Sequence, residues 1–219
     1  INAILYVVNS GCQWRMIPHD LPAWYSAYYH FNKWKKEESW FLIHQAIHQE
    51  LREQEGKQPE PTAAIIDSQS IKTSQVAQSR GFDGNKKVKG RKRHLAVDTL
   101  GIPLVVKVHD ANLHDSKQAI SILEILFFWF ITIRIIWADA AYRGELAQWL
   151  LLTHQCQLEI ADTLQTTGFH VVPKRWIVER TFGWFQWSRR LNIDYERHSL
   201  TAETMVYIAS IHIMLKRFT

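Results

Sequence analysis

The chain has 219 residues, of which 47% are apolar, and a formal charge of +5. That balance excludes a disordered segment and suits one compact domain with a small appendage. Cys12 and Cys156 lie in no CxxC pair, so a disulfide or zinc framework is excluded and a reducing compartment is expected. The longest apolar run, 125–133 between Glu124 and Arg134, is too short for the roughly 18–20 residues of a membrane span. No membrane partner is expected, and the expected location is the cytoplasm. The chain opens on Ile1 without a basic leader, and the missing initiator Met leads to the expectation of a truncated front.

Residues 1–54 are expected to form a small helical module. Trp24, Tyr25, Tyr28, Tyr29, Phe31 and Trp34 recur at helical spacings and are assigned to core packing, and Ser39 is placed to cap a following helix. A polar linker with two prolines covers 55–61. The third part, 62–219, opens with a β-suitable run at 62–71. A Gly- and Lys-rich loop precedes two strands within 94–110, joined at Thr99-Leu100-Gly101. A helix at 115–128 with Asp115 as its cap, a strand at 133–138, a helix at 145–152 and a strand at 156–161 follow. Helices over 175–191 and 201–217 close the chain. The order β-β-β-α-β-α-β-α predicts an α/β fold, a mixed sheet with an antiparallel start and helices on its faces.

Three acids stand out. Asp67 follows apolar residues on a strand that should be buried, where an ionised carboxylate needs a cation or hydrogen bonds. Asp139 ends an equally apolar strand, the end at which ligand sites gather in open α/β sheets. Glu179 lies on a helix beside an apolar stripe of Val178, Phe182 and Phe185. Oxygen ligands of this kind suit Mg²⁺, with Mn²⁺ as a substitute, and two such ions can activate an attacking hydroxyl and stabilise the leaving oxygen in phosphoryl transfer. Near them, 86–93 holds six basic residues, Lys86, Lys87, Lys89, Arg91, Lys92 and Arg93. As a loop, with Gly84 and Gly90 giving it freedom, this block would neutralise DNA phosphates by counterion release. Lys174, Arg175, Arg180, Arg189 and Arg190 form a second basic cluster around Glu179. Histidines occur in no zinc-binding spacing, and the His109-Asp110 and His114-Asp115 pairs are assigned to a strand end and a helix start.

The blocks IIDSQSIKT (65–73), GFDGNKKVKGRKRHLAVDTLG (81–101), ADAAYRG (138–144) and PKRWIVERTFGWFQWSRRLNIDYERH (173–198) resemble the successive signature blocks of insertion-sequence transposases of the IS-five group, within the IS-four-like class. GCQWRMIPHDLPAW (11–24) with YYHFNKWKKEESW (28–40) is similar to the helical, helix-turn-helix-like module in front of the catalytic domain there. The resemblance implies an RNase H-like fold with the first acid on the first strand, the second after the fourth and the Glu on a later helix. It implies a DDE transposase with Asp67, Asp139 and Glu179 as catalytic, metal-binding residues. It also implies double-stranded DNA as partner, both element ends and target, a homodimer or higher multimer on that DNA, and work at the nucleoid. Tyr142 and Arg143, just after Asp139, would touch the DNA near the scissile bond. Arg175 matches the family's Arg four residues before the Glu. Val172 stands where a Tyr is expected, Gln186 where a basic residue is, and Ala161-Asp162 where a basic pair is. A purely hydrolytic RNase H-like nuclease and a decayed transposase that only binds DNA are the alternatives.

Overall fold

The computed structural model describes residues 1–160 and 174–218. Among them, six strands form one mixed sheet. Strand β1 (Ala63–Lys72) is central, because Ala64, Ile65 and Ile66 bury fully on both faces. Strand β3 (Val88–Val97) runs antiparallel to β1 on one side and to β4 (Pro103–Asp110) on the other. β5 (Ile135–Ala138) lies parallel to β1 on its free side, and β6 (Gln157–Ile160) lies parallel to β5 at the edge. The three-residue β2 (Gly81–Asp83) extends the start of β3. This is the mixed sheet with an antiparallel start that the pattern predicts. With β2 set aside, β5 is its fourth strand.

β3 begins six residues earlier than the expected strand at 94. The block 86–93 is therefore not one loop: it turns at Lys86 and Lys87 and then enters the sheet. Gly90 serves that strand rather than a flexible loop. A Cβ there would lie 1.9 Å from the Ile71 carbonyl oxygen, so only glycine lets β3 come this close to β1.

Side chains alternate across a strand, and the two faces are covered differently. Ile65, Leu95, Val106 and Trp137 point into a core closed by α6 (Trp176–Phe185), α7 (Ser199–Leu215) and the front helices α1 (Asn2–Ser10), α2 (Trp24–Lys36) and α3 (Ser39–Gln54). Ala64, Ile66, Ala96 and Ile136 point into a second core under α4 (Asp115–Trp129) and α5 (Glu145–His154). The front of the chain is helical as expected, and its Ile4, Val7, Phe31, Trp40 and Leu51 share the first core with the sheet. Among the described residues no helix is long and apolar enough to cross a membrane.

Three local assignments change. The α2 aromatics do not all pack: Phe31 is buried and Trp34 partly so, whereas Tyr25 and Tyr29 are 66% and 63% exposed. Six aromatics within eleven positions encircle a helix of 3.6 residues per turn, and its buried stripe is held by Ala27 and Phe31. Ser39 is the first residue of α3, and Glu38 before it adopts a left-handed conformation, with no side-chain cap. Asp115 is likewise inside the first turn of α4 after His114, and its carboxylate accepts from Lys92 Nζ at 2.9 Å.

Candidate active site

Asp67 lies on β1 on the face shared by Ile65, and Leu95 is its cross-strand neighbour. The β1–β5 register pairs Ala63 with Ile135 and Ile65 with Trp137. The pairing stops there, and Asp139 follows the last residue of β5, near enough to Asp67 for its charge to act on that carboxyl. Asp139 starts a short 3-10 turn, Ala140–Tyr142, and its Oδ1 accepts from the Ala141 amide at 2.9 Å. Asp67 Oδ1 accepts from the Ser68 amide at 2.6 Å. Burial raises the Asp67 carboxyl to about 6; the Ser68 bond opposes this, Asp139 adds to it, and Lys86 and Arg175 oppose it. Two carboxylates are thus held close, one in the middle of β1 and the other just past the carboxyl end of β5.

Glu179 projects from α6, whose Ile177, Val178 and Phe182 pack on that same sheet face. Its carboxylate is half-exposed and ion-paired with Arg175 at 2.6 Å, one helical turn earlier. Arg175 is near enough to Asp67 to favour its ionised form. The oxygen donors of Asp67 and Asp139 fit a hard divalent cation, since charge repulsion and burial disfavour the ionised pair without one. Glu179 does not sit with them: no three His, Cys, Asp or Glu side chains among the described residues are grouped closely enough to hold an ion.

The basic residues divide sharply. Lys86, Lys87 and Lys89 are exposed, and Lys86 Nζ reaches the Ser68 carbonyl at 2.9 Å, beside Asp67. Arg91, Lys92 and Arg93 are buried and so do not form the expected exposed DNA-contacting loop. Strand alternation sends Arg91 and Arg93 to one face and Lys92 to the other, and both faces are covered there, so each acquires partners inside the protein. Arg91 pairs with Asp194 at 3.1 Å and donates to the Ser79, Glu196 and Arg197 carbonyls. Lys92 pairs with Asp115, and Arg93 donates to the Leu191 carbonyl at 2.7 Å.

Tyr142 is 1% exposed, not an accessible DNA contact. Its hydroxyl lies 2.6 Å from Nε2 of the buried His94, which the sequence placed only at the end of the basic block. Burial holds that imidazole neutral, lowering it to about 3. The turn that carries Asp139 is thereby anchored to β3. Arg143 is exposed on this turn. Around Glu179, Lys174 lies over the Trp137 ring at 3.7 Å and Arg189 is exposed. Arg180 is sandwiched between Trp176 and Trp184, donating to the Leu100 carbonyl. Arg190 clamps Glu196 and donates to the Cys12 carbonyl. Ala161, Asp162 and Val172 lie outside the described residues, and Gln186 is exposed after α6.

A mixed sheet thus carries two neighbouring acids, on β1 and after β5, and the helix that bears Glu179 packs on the sheet face shared by Ile65. Residues 58–214 match the family described as "Transposase DDE domain", and residues 1–61 match one described as a transposase of the IS4/5 family. The chain belongs to the DDE transposases of the IS4/5 type, and its fold is RNase H-like, as the resemblance implied. A Burkholderia cepacia protein named as a transposase for insertion sequence element IS402 is 28% identical over 117 residues, 50% of this chain and 56% of that protein. The chain therefore spans about half the length of the curated relative it matches.

Proposed function

We propose that the chain is an Mg²⁺-dependent DDE transposase that cleaves the ends of an insertion sequence and joins the resulting 3′-hydroxyls to target DNA. One observation carries this reading: Asp67, buried on β1, lies near enough to Asp139 at the end of the neighbouring β5 that burial and that second charge together raise its carboxyl to about 6. Such a pair is unfavourable in isolation and suits a site completed by cations. The chemistry that two Mg²⁺ ions supply when bound is activation of the attacking hydroxyl and neutralisation of the leaving oxygen.

The protein's own groups position the DNA. Asp67 and Asp139 provide the fixed ligands, backed by the Ser68 and Ala141 amides. Glu179 would join them as a third ligand once Arg175 exchanged its carboxylate partner for a DNA phosphate, a swap that a half-exposed pair permits. Lys86, Lys87, Lys89, Arg143, Lys174 and Arg189 supply exposed positive charge on the approach to the acids. The front helices, 1–54, hold the duplex end while packed into the core they share with the catalytic 62–219, to which 55–61 connects them, and the protein works as a homodimer or larger multimer at the nucleoid. A strand-transfer assay with labelled element ends and a supercoiled target tests the reading. Joined products that require Mg²⁺ or Mn²⁺ are expected. Hydrolysis without joining would indicate a nuclease, and binding without cleavage a decayed element.

A further inference from the structure

Further along β1 from Asp67 lies a pocket that no part of the cleavage chemistry uses. Two residues along β1, roughly 7 Å on, Gln69 occupies the same sheet face, and Arg93 is its register partner on β3. Together they line a cavity of about 550 Å³, closed on its far side by Phe182 and Phe185 of α6 and edged by Lys72, Gln186 and Asn192. Its lining contains two cationic side chains and several neutral polar ones, but no carboxylate.

The Arg93 guanidinium is the unusual member. The residue is 2% exposed, its Nη1 donates to the Leu191 carbonyl, and its buried Nε has no hydrogen-bond partner among the described residues. The nearby Asp194 is already paired with Arg91. A desolvated cation without its own carboxylate is costly unless an anion completes it. Guanidinium groups match the geometry of phosphate oxygens, and side-chain amides such as those of Gln69, Gln186 and Asn192 can donate to the remaining ones.

We infer that this pocket binds a phosphate group, and that in the complex the group belongs to the DNA strand whose neighbouring linkage lies at Asp67. The assignment deepens the transposase reading and rests on it for the source of the phosphate, though not for the presence of an anion site.

Melting the full chain in inorganic phosphate and in chloride of equal ionic strength tests the site. Phosphate should raise the wild-type melting temperature more than chloride does. Asn192→Asp and Gln186→Glu, which place negative charge at the exposed rim and leave the buried arginine intact, should melt no lower than wild type in chloride and lose the phosphate-specific shift. Absence of that shift in wild type, or its survival in both variants, would overturn the pocket. In a duplex-binding titration, inorganic phosphate should compete more strongly than chloride, and both variants should bind several-fold more weakly. Specific phosphate stabilisation without competition would overturn the DNA source. Failure of the wild type to process element ends would sink the transposase reading while the phosphate shift still stood.

Discussion

Arg175 Nη2 lies 2.6 Å from Glu179 Oε1 across one turn of α6, so the acid on the helix is neutralised by its own neighbour rather than grouped with Asp67 and Asp139. A pair this exposed contributes little to stability, typically about 0.3–0.5 kcal/mol. Arg175→Ala should therefore melt within about 2 °C of wild type yet bind element ends more weakly and cleave them more slowly. A variant that cleaves normally would show that Arg175 only stabilises the helix.

Asp67 should cost the fold stability at neutral pH. Its carboxyl is raised from 3.8 to about 6, so the folded state holds the proton more tightly than the unfolded one. The penalty is fully present above pH 6, at about 3 kcal/mol, and is relieved as pH falls from 6 towards 3.8. Asp67→Asn should raise the melting temperature by several degrees at pH 7.5, on the order of 2–4 °C per kcal/mol, and should gain little at pH 4. Equal melting temperatures at pH 7.5 would contradict the raised carboxyl.

The basic residues should split into two kinds by mutation. Replacing Lys86, Lys87 and Lys89 with Gln should leave the fold intact and flatten the salt dependence of duplex binding, by up to about 0.9 in slope for each phosphate no longer neutralised. Arg91→Gln breaks a fully buried pair with Asp194 and should destabilise the protein by about 3–5 kcal/mol. An Arg91 variant that folds normally but loses DNA affinity would return that side chain to the DNA surface.

Tyr142→Phe keeps the ring and removes the hydroxyl from His94, leaving a buried nitrogen unpaired at a cost of about 1–3 kcal/mol. Because the same turn carries Asp139, kcat for cleavage should fall while KM for the element end stays near wild type. A drop in stability with normal kcat would confine Tyr142 to a structural role.

Much of this is legible in the residues. The apolar runs before Asp67 and Asp139 predict one strand with an acid in its middle and one ending at an acid, and β1 and β5 are neighbours in the sheet. The block 86–93 reads as a loop because its strand periodicity is carried by charged side chains. Arg91 and Arg93 face one core and Lys92 the other, and their partners Asp194, Leu191 and Asp115 lie elsewhere in sequence. The hydropathy of a strand buried through such distant pairings looks like that of a loop. The role of His94 is hidden for the same reason: its partner, Tyr142, is 48 residues away. The α2 aromatics err the other way, since aromatic content signals burial only where it keeps to one helical stripe.

If Asp67 and Asp139 together hold the cations of one cleavage site, losing either carboxylate should abolish chemistry and spare binding. Single-turnover cleavage of a labelled element end, with wild type, Asp67→Asn and Asp139→Asn in Mg²⁺, tests it most directly, with duplex binding measured in parallel. Both variants should bind the end with near wild-type affinity while cleavage falls by at least about a thousandfold, a barrier increase of roughly 4 kcal/mol. Cleavage by either variant at the wild-type rate would contradict it.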